Sequence, residues 1–278
     1  VNRVRGEMRA IAATTRKELL LMRRYPADIV ALSLWMLLLP LAYIAQATAF
    51  SSGSASVAAF ERRAGTDDYV AFLYIGWSVY LWITAVLWGP GLALRQERQR
   101  GSFETVFASP ASRFTLLFGG VPAQVVPVLV IFVSAAASMR LLFGVPLGWG
   151  DLARWLTVLA FAFPVLMALG AMFATVSLSL QDTSGLLQIT RGAFTLLCGV
   201  TYPLAVLPVP LRAVGEALPP TQALDALRAV TVGHESLLDR LPGLALLLVE
   251  AFAAAALAMA LLWVSVRHGR RTGKLGLF

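Results

Sequence analysis

Residues 69–94 and 114–143 are two long apolar runs, separated only by the charged stretch Arg95–Arg113, Arg-Gln-Glu-Arg-Gln-Arg-Gly-Ser-Phe-Glu-Thr-Val-Phe-Ala-Ser-Pro-Ala-Ser-Arg. A helix needs about 20 mostly apolar residues to cross a bilayer, and both runs meet that. The island between them is therefore expected at a membrane face. Arg95, Arg98, Arg100 and Arg113 assign that face to the cytoplasm, because short cytoplasmic loops carry the excess of Lys and Arg. Ser102 with Phe103, Val106 and Phe107 makes a short amphipathic turn that Pro110 stops. A short helix within 95–113 would thus lie on the inner face and offer apolar and charged side chains for docking.

Composition excludes a soluble domain. Hydrophobic residues make up 58% of the 278 and charged residues 14%, against about 45–50% and about 25% in soluble domains; mean hydropathy is +0.75. The net charge of +8 does not point to nucleic acid. It sits in segments flanking the apolar runs, where topology and anionic lipid account for it. The single cysteine, Cys198, lies inside an apolar run, which leaves no disulfide framework and no cysteine metal site. No signal peptide is apparent, since the first apolar run is too long for one.

In chain order, residues 1–27 place Met8, Ile11, Ala12, Thr15, Leu19 and Met22 on one helical face, flanked by Arg9, Arg16, Lys17, Arg23 and Arg24. This is the pattern of a helix lying in the membrane interface, and Tyr25-Pro26 ends it. A charged leader before the first span is the plainer reading. Spans are expected at 29–50, 69–94, 114–143, 152–180, 185–206 and 242–266. Pro122, Pro127 and Pro164 invite bends. The loop 51–68 and the stretch 203–241 have nearly balanced charges, which suits the outer face. The second of these holds Pro203, Pro208, Pro210, Pro219 and Pro220, too broken to span and too apolar for a solvated loop. Two short helices dipping into the outer leaflet, shielded by protein, would satisfy both constraints. The expectation is one all-α transmembrane domain over 1–278, with six spans and both termini cytoplasmic.

Catalytic motifs are not apparent. Gly269-Arg270-Arg271-Thr272-Gly273-Lys274 is too short for a phosphate loop and follows a span rather than a strand, and His234-Glu235 lacks the second histidine of a zinc motif. No metal site and no cofactor on this chain are expected. Two ionisable residues fall inside expected spans, Arg191 and Glu250, and such charges are candidate functional residues. They lie at different depths and are not expected to pair. Each is either a structural polar contact or part of a translocation path. Gln188, Arg191 and Thr195 share one helical face, and Trp77, Tyr80 and Thr84 lie too deep for an interface belt; packing or an amphipathic route would explain them.

Taken together, the basic leader, six spans, inner loop and proline-rich outer segment resemble the permease subunits of type-2 ATP-binding-cassette exporters. Glu97-Arg98-Gln99-Arg100-Gly101-Ser102-Phe103-Glu104 is similar to that family's Glu-Arg-x-x-Gly-Ser/Thr-x-Glu coupling signature. Gly199-Val200-Thr201-Tyr202-Pro203, Leu207-Pro208, Pro219-Pro220-Thr221 and Leu224-Asp225-Ala226-Leu227-Arg228 are similar to its second signature, between spans five and six.

The resemblance implies a partner ATPase in two copies, carrying the ATP and Mg, which receives the 95–113 helix in a cleft with the leader packed beside it. Glu97, Arg98, Arg100 and Glu104 would dock, Gly101 would make the turn, Ser102 completes the motif, and Phe103 and Phe107 would fill the interface core. A solvated positive-inside loop is the plainer reading of the same charges. A second permease, identical or paralogous, completes the pore, with spans two and five near the dimer axis. Tyr202, Pro203, Pro208, Pro219, Asp225 and Arg228 would form the outer gate. The cargo would be amphipathic, a drug-like molecule or lipid, exported across the plasma membrane of a prokaryote amid membrane lipids. A lipid-linked glycan is the alternative, and a non-transporting scaffold or an intramembrane lipid enzyme are rivals from other classes.

Overall fold

The computed structural model describes residues 2–50, 60, 62–64, 66, 68–99, 101, 105, 111–178, 180, 183–233 and 235–272. The described residues are mostly helical. In order the helices are α1 (Asn2–Arg24), α2 (Pro26–Phe50), α3 (Tyr69–Trp88), α4 (Ala93–Gln99), α5 (Arg113–Phe118), α6 (Val125–Phe143), α7 (Trp149–Leu178), α8 (Ser184–Leu197), α9 (Val209–Glu216), α10 (Pro219–Thr231) and α11 (Leu237–Thr272). Tyr25 interrupts the helix between α1 and α2, and Pro26 opens α2 where its missing N–H costs nothing.

Helix α3 is the axis of the bundle. Its membrane stretch is 78% buried by its own chain, against 17% for α2 and 22% for α11. Helices α2, α6, α7, α8 and α10 surround it, and α11 runs along the far side of α7. Trp82 and Tyr74 are its largest fully buried side chains. The Trp82 ring meets Phe132 edge-on at 5.9 Å and stacks on Phe163 at 6.4 Å, while Phe132 meets Trp155 at 5.8 Å. These rings join α3, α6 and α7. In a bilayer the lipid is as apolar as the core, so van der Waals fit rather than the hydrophobic effect holds such helices together.

Several boundaries differ from the sequence expectation. The run 69–94 does not give way to a loop at Arg95. Gly89-Pro90 breaks it into a 3-10 turn at Pro90–Leu92, after which α4 carries the helix through Gln99; Leu, Arg, Gln and Glu are all good helix formers. The run 114–143 is broken rather than bent: α5 ends at Gly119-Gly120, a 3-10 turn spans Val121–Gln124 around Pro122, and α6 restarts at Val125. Pro127 falls in the first turn of α6, where the backbone N–H has no helical partner to lose. The run expected at 152–180 is Trp149–Leu178, with Pro164 inside it. Helix α11 begins at Leu237 and encloses Pro242.

Among the described residues, five helical stretches are long and apolar enough to cross a membrane: Pro26–Gln46, Tyr69–Gln99, Arg113–Phe143, Trp149–Leu178 and Leu237–Arg267. The run expected as a span at 185–206 is α-helical only over the 14 residues of α8. At 1.5 Å per residue that is roughly 21 Å, short of a hydrocarbon core about 30 Å thick. Its stop is local: Gly199 takes φ +63° and Pro203 follows. The segment 203–241 contains two short helices, α9 and α10, and its last residues already belong to α11.

Candidate functional site

The charged island is braced on both sides where it leaves the bundle. Lys17 on α1 places Nζ 2.6 Å from Glu97 Oε1 on α4 and 3.3 Å from Glu18. Burial works to lower the Lys17 ammonium, and the hydrogen bond and charge of Glu97, with Glu18, overcome it, so its pKa lies above the ordinary lysine value. On the other side of α4, Arg98 Nη1 donates to Leu178 O at 2.8 Å, and Arg95 Nη1 donates to Thr183 Oγ1. These bonds tie α4 to the turn between α7 and α8.

Helix α1 also grips the start of the next span. The Glu7 carboxylate accepts from Ser112 N at 3.0 Å and Ser112 Oγ at 2.8 Å, and a further hydrogen bond comes from Thr115 Oγ1. Ser112 in turn caps α5 by accepting from Thr115 N at 3.2 Å. Thr15 Oγ1 donates to Gly119 O at 3.0 Å. The face of α1 turned to the protein is thus largely polar. Ile11, Thr15 and Met22 of the expected apolar face are half-buried, but Met8, Ala12 and Leu19 are exposed. Between α1, α4 and residues 111–121 lies a cavity of about 630 Å³, lined by Lys17, Glu97, Thr105 and Gln124 among others.

Gly101 follows α4 with φ +71° and donates its N–H to Arg98 O at 3.1 Å. A side chain there would meet no atom within 4 Å, so the demand for glycine is conformational. Of the expected docking residues, Glu97, Arg98 and Gly101 are described; Arg100, Ser102, Phe103, Glu104 and Phe107 lie outside the described residues.

Deeper in the bundle, Arg191 on α8 donates from Nη2 to Tyr80 Oη at 2.8 Å and lies 5.7 Å from that ring's centre. Its Nη1 reaches Gln188 Oε1 at 3.4 Å. Trp77 meets Tyr80 edge-on at 5.1 Å and Tyr43 at 5.2 Å. Trp77 Nε1 and Thr84 Oγ1 are buried with no partner among the described residues. The structure therefore joins Trp77, Tyr80, Gln188 and Arg191. Thr195 instead turns its hydroxyl to Arg191 O of its own helix, at 2.8 Å. Glu250 does not pair with Arg191: its Oε1 accepts from Gln222 Nε2 at 3.0 Å, tying α11 to α10.

At the other end of α8, Arg228 on α10 closes the turn onto α3. Its Nη1 donates to Gly199 O at 3.0 Å, and its Nη2 to Val200 O at 3.0 Å and Phe72 O at 3.3 Å. The guanidinium carbon lies 3.4 Å from the centre of the Phe72 ring, a cation–π contact. A planar fork of five donors suits this convergence of carbonyls. Gly76 makes the approach possible, for a Cβ there would stand 2.0 Å from Val200 O. Tyr202 Oη donates to Leu196 O, Pro208 caps α9 and Pro219 opens α10. Pro203 precedes the 3-10 turn at Leu204–Val206, and Asp225 is exposed on α10.

Sequence reasoning did not single out Glu7, Thr183 or Trp155, and it placed Lys17 only among the cations flanking the leader's apolar face. Trp155 Nε1 donates to Thr231 Oγ1 at 2.6 Å and fixes α7 to α10. Glu7 carried only a weak signal, as one of two acidic residues, with Glu18, in a mostly basic leader. Among the described residues, no three His, Cys, Asp or Glu side chains converge as a metal site would require.

A comparison with curated protein sequences finds no match to the chain. The model of the family described as ABC-2 type transporter matches residues 9–232, from α1 through α10. That match takes in the braced island, the Tyr80–Arg191 cluster and the Arg228 clasp, and it covers most of the sequence. The chain belongs to the ABC-2 type transporter family and is a transmembrane subunit of an ABC transporter.

Proposed function

We propose that this chain is the permease of an ATP-driven exporter of amphipathic molecules, moved by a separate ATPase through the segment 95–113. The observation that carries the reading is the bracing of α4. Force applied beyond Gly101 would pass through Lys17–Glu97 to α1, and through Arg98–Leu178 and Arg95–Thr183 to the junction of α7 and α8. A lever works only when it is stiff where it joins its load. Glu97, Arg98, Arg100, Gly101, Ser102, Phe103, Glu104 and Phe107 form the docking stretch, with two ATPase copies supplying ATP and Mg.

Both termini face the cytoplasm in this reading, α1 lies in the interface, and α8 with the turn after it makes the sixth crossing. Helices α9 and α10 dip into the outer leaflet and, with the Arg228 clasp, close the outer end. A second permease packs near α3 and α8. Support comes from the free face of α8, where Gln188, Ile189, Gly192, Ala193 and Leu196 are exposed and a side chain on Gly185 or Gly192 would meet nothing within 4 Å. Small residues favour close approach of membrane helices. The Trp77–Tyr80–Arg191 cluster, aromatic with one cation, then borders the path and suits an amphipathic cargo.

The test is reconstitution with the partner ATPase in proteoliposomes. Arg98→Glu and Glu104→Ala should insert and assemble, and ATP hydrolysis should continue while transport falls. Normal transport by both variants would remove the docking assignment.

A further inference from the structure

Two cavities meet where α6 turns into α7, away from every residue discussed so far as path, clasp or lever. The larger, about 900 Å³, is a groove between the two helices lined by Leu129, Phe132, Val133, Leu156 and Leu159. It opens sideways, for Val133 and Leu156 are 65% and 55% exposed. The smaller, about 610 Å³, is an open hollow against the turn 144–148. Arg140, Leu147 and Gly148 line both.

Arg140 stands in the last turn of α6, at the level where the apolar helix ends. Its Nη1 donates to Leu147 O, and no carboxylate among the described residues forms an ion pair with it. The nearby Asp151 is engaged elsewhere: Oδ2 accepts from Gly148 N at 2.9 Å, and Oδ1 pairs with Arg154 at 3.3 Å. A solvent-accessible cation thus crowns an apolar groove that runs along two membrane-spanning helices. Trp149, 89% exposed at the same end, is the residue type that marks a membrane interface.

We infer that this groove binds an anionic phospholipid, with one acyl chain between α6 and α7 and the phosphate on Arg140. Depth and charge together choose the occupant. A soluble phosphate would leave the groove empty, and an uncharged apolar molecule would leave the cation unanswered. A lipid standing parallel to the helices satisfies both, because its charge and its chain are separated in the same sense as Arg140 and the groove. Cations facing anionic headgroups are favoured, and a guanidinium grips phosphate oxygens in pairs. The site stands apart from the transport reading. It needs only that α6 and α7 cross a bilayer, and no residue of the Tyr80–Arg191 cluster lines it.

The full chain, purified in detergent, is titrated with dioleoyl phosphatidylglycerol, with dioleoyl phosphatidylcholine and with inorganic phosphate, and bound lipid is read by native mass spectrometry. The wild type should retain phosphatidylglycerol in preference to phosphatidylcholine. Arg140→Gln should cut that preference about fivefold, while Arg140→Lys keeps most of it. Ala137→Trp, which fills the groove, should weaken both lipids alike. Equal retention of the two lipids by the wild type would overturn the proposal, as would an Arg140→Gln variant that keeps the preference. Displacement of the lipid by inorganic phosphate would assign the cation to a free anion instead. A disulfide-linked dimer of Ala137→Cys that forms regardless of lipid would give the groove to a second copy.

Discussion

Lys17 and Glu97, 80 residues apart, meet at 2.6 Å, and their contact links α1 to α4. Exposed ion pairs of this kind contribute only about 0–1 kcal/mol to stability, and Lys17 is 45% exposed. Lys17→Met should therefore leave the melting temperature in detergent nearly unchanged. In proteoliposomes with the ATPase it should lower the number of molecules moved per ATP hydrolysed. Equal loss of stability and transport would mean that the pair only holds the fold.

Gly76 and Gly192 should respond oppositely to alanine. At Gly76 the new Cβ would lie 2.0 Å from Val200 O and 2.9 Å from Arg228 Nη2, so backbone must move. Overpacking of this kind costs about 1–3 kcal/mol, and thermal unfolding should show it. At Gly192 nothing lies within 4 Å, and helix propensity alone favours alanine by about 1 kcal/mol. Gly192→Leu should keep the monomer intact and weaken the proposed permease pair, read by light scattering.

Arg228→Met should destabilise the turn after α8, because its guanidinium joins α10 to that turn and to α3. The carbonyls of Phe72, Gly199 and Val200 would lose their donor, and a buried acceptor left unmet costs about 1–3 kcal/mol. Arg228→Lys should recover only part, since one ammonium cannot serve the same carbonyls in the same plane. Limited proteolysis at 199–207 and thermal unfolding would report both effects.

The pair Glu235–Arg240, at 2.6 Å, predicts an acid response before α11. The hydrogen bond from Arg240 holds the Glu235 carboxyl below its ordinary value of 4.5. A carboxylate with a depressed folded pKa stabilises above the unfolded value, and the gain disappears as pH falls through the folded one. Wild type should thus exceed Glu235→Gln slightly at neutral pH and match it in stronger acid. Both side chains are well exposed, so the difference is small and fades with salt. A gap that widens on acidification would contradict the pairing.

Much of the helical layout was legible because an apolar run and a bilayer share a length scale. Asn2–Arg24 followed from amphipathic spacing, five of the six expected spans from apolar runs, and the short helices near Pro208 and Pro219 from proline. What misled was continuity of hydropathy. The run 185–206 stays apolar past Leu197, yet the left-handed turn at Gly199 ends the helix, and hydropathy cannot register a dihedral angle. The same blindness hid the 3-10 break at Pro90–Leu92 and extended a loop over Arg95–Gln99. At the candidate site, Glu97, Arg98, Gly101 and Arg228 stood out through a motif. Their partners did not: Lys17, Leu178, Thr183 and Phe72 are joined to them only by the folded path of the chain.

The uneven sheathing of α3 relative to α2 and α11 bears on how such a chain can diversify. On the two outer helices few side chains are buried by the chain itself, so one aliphatic residue can replace another with little penalty, and their length can adjust to membranes of different thickness. Along α3 each ring and each methyl has neighbours on several sides, so a change of volume there propagates into four or more helices at once. Drift should therefore accumulate on the rind of the molecule, while its pith stays nearly fixed.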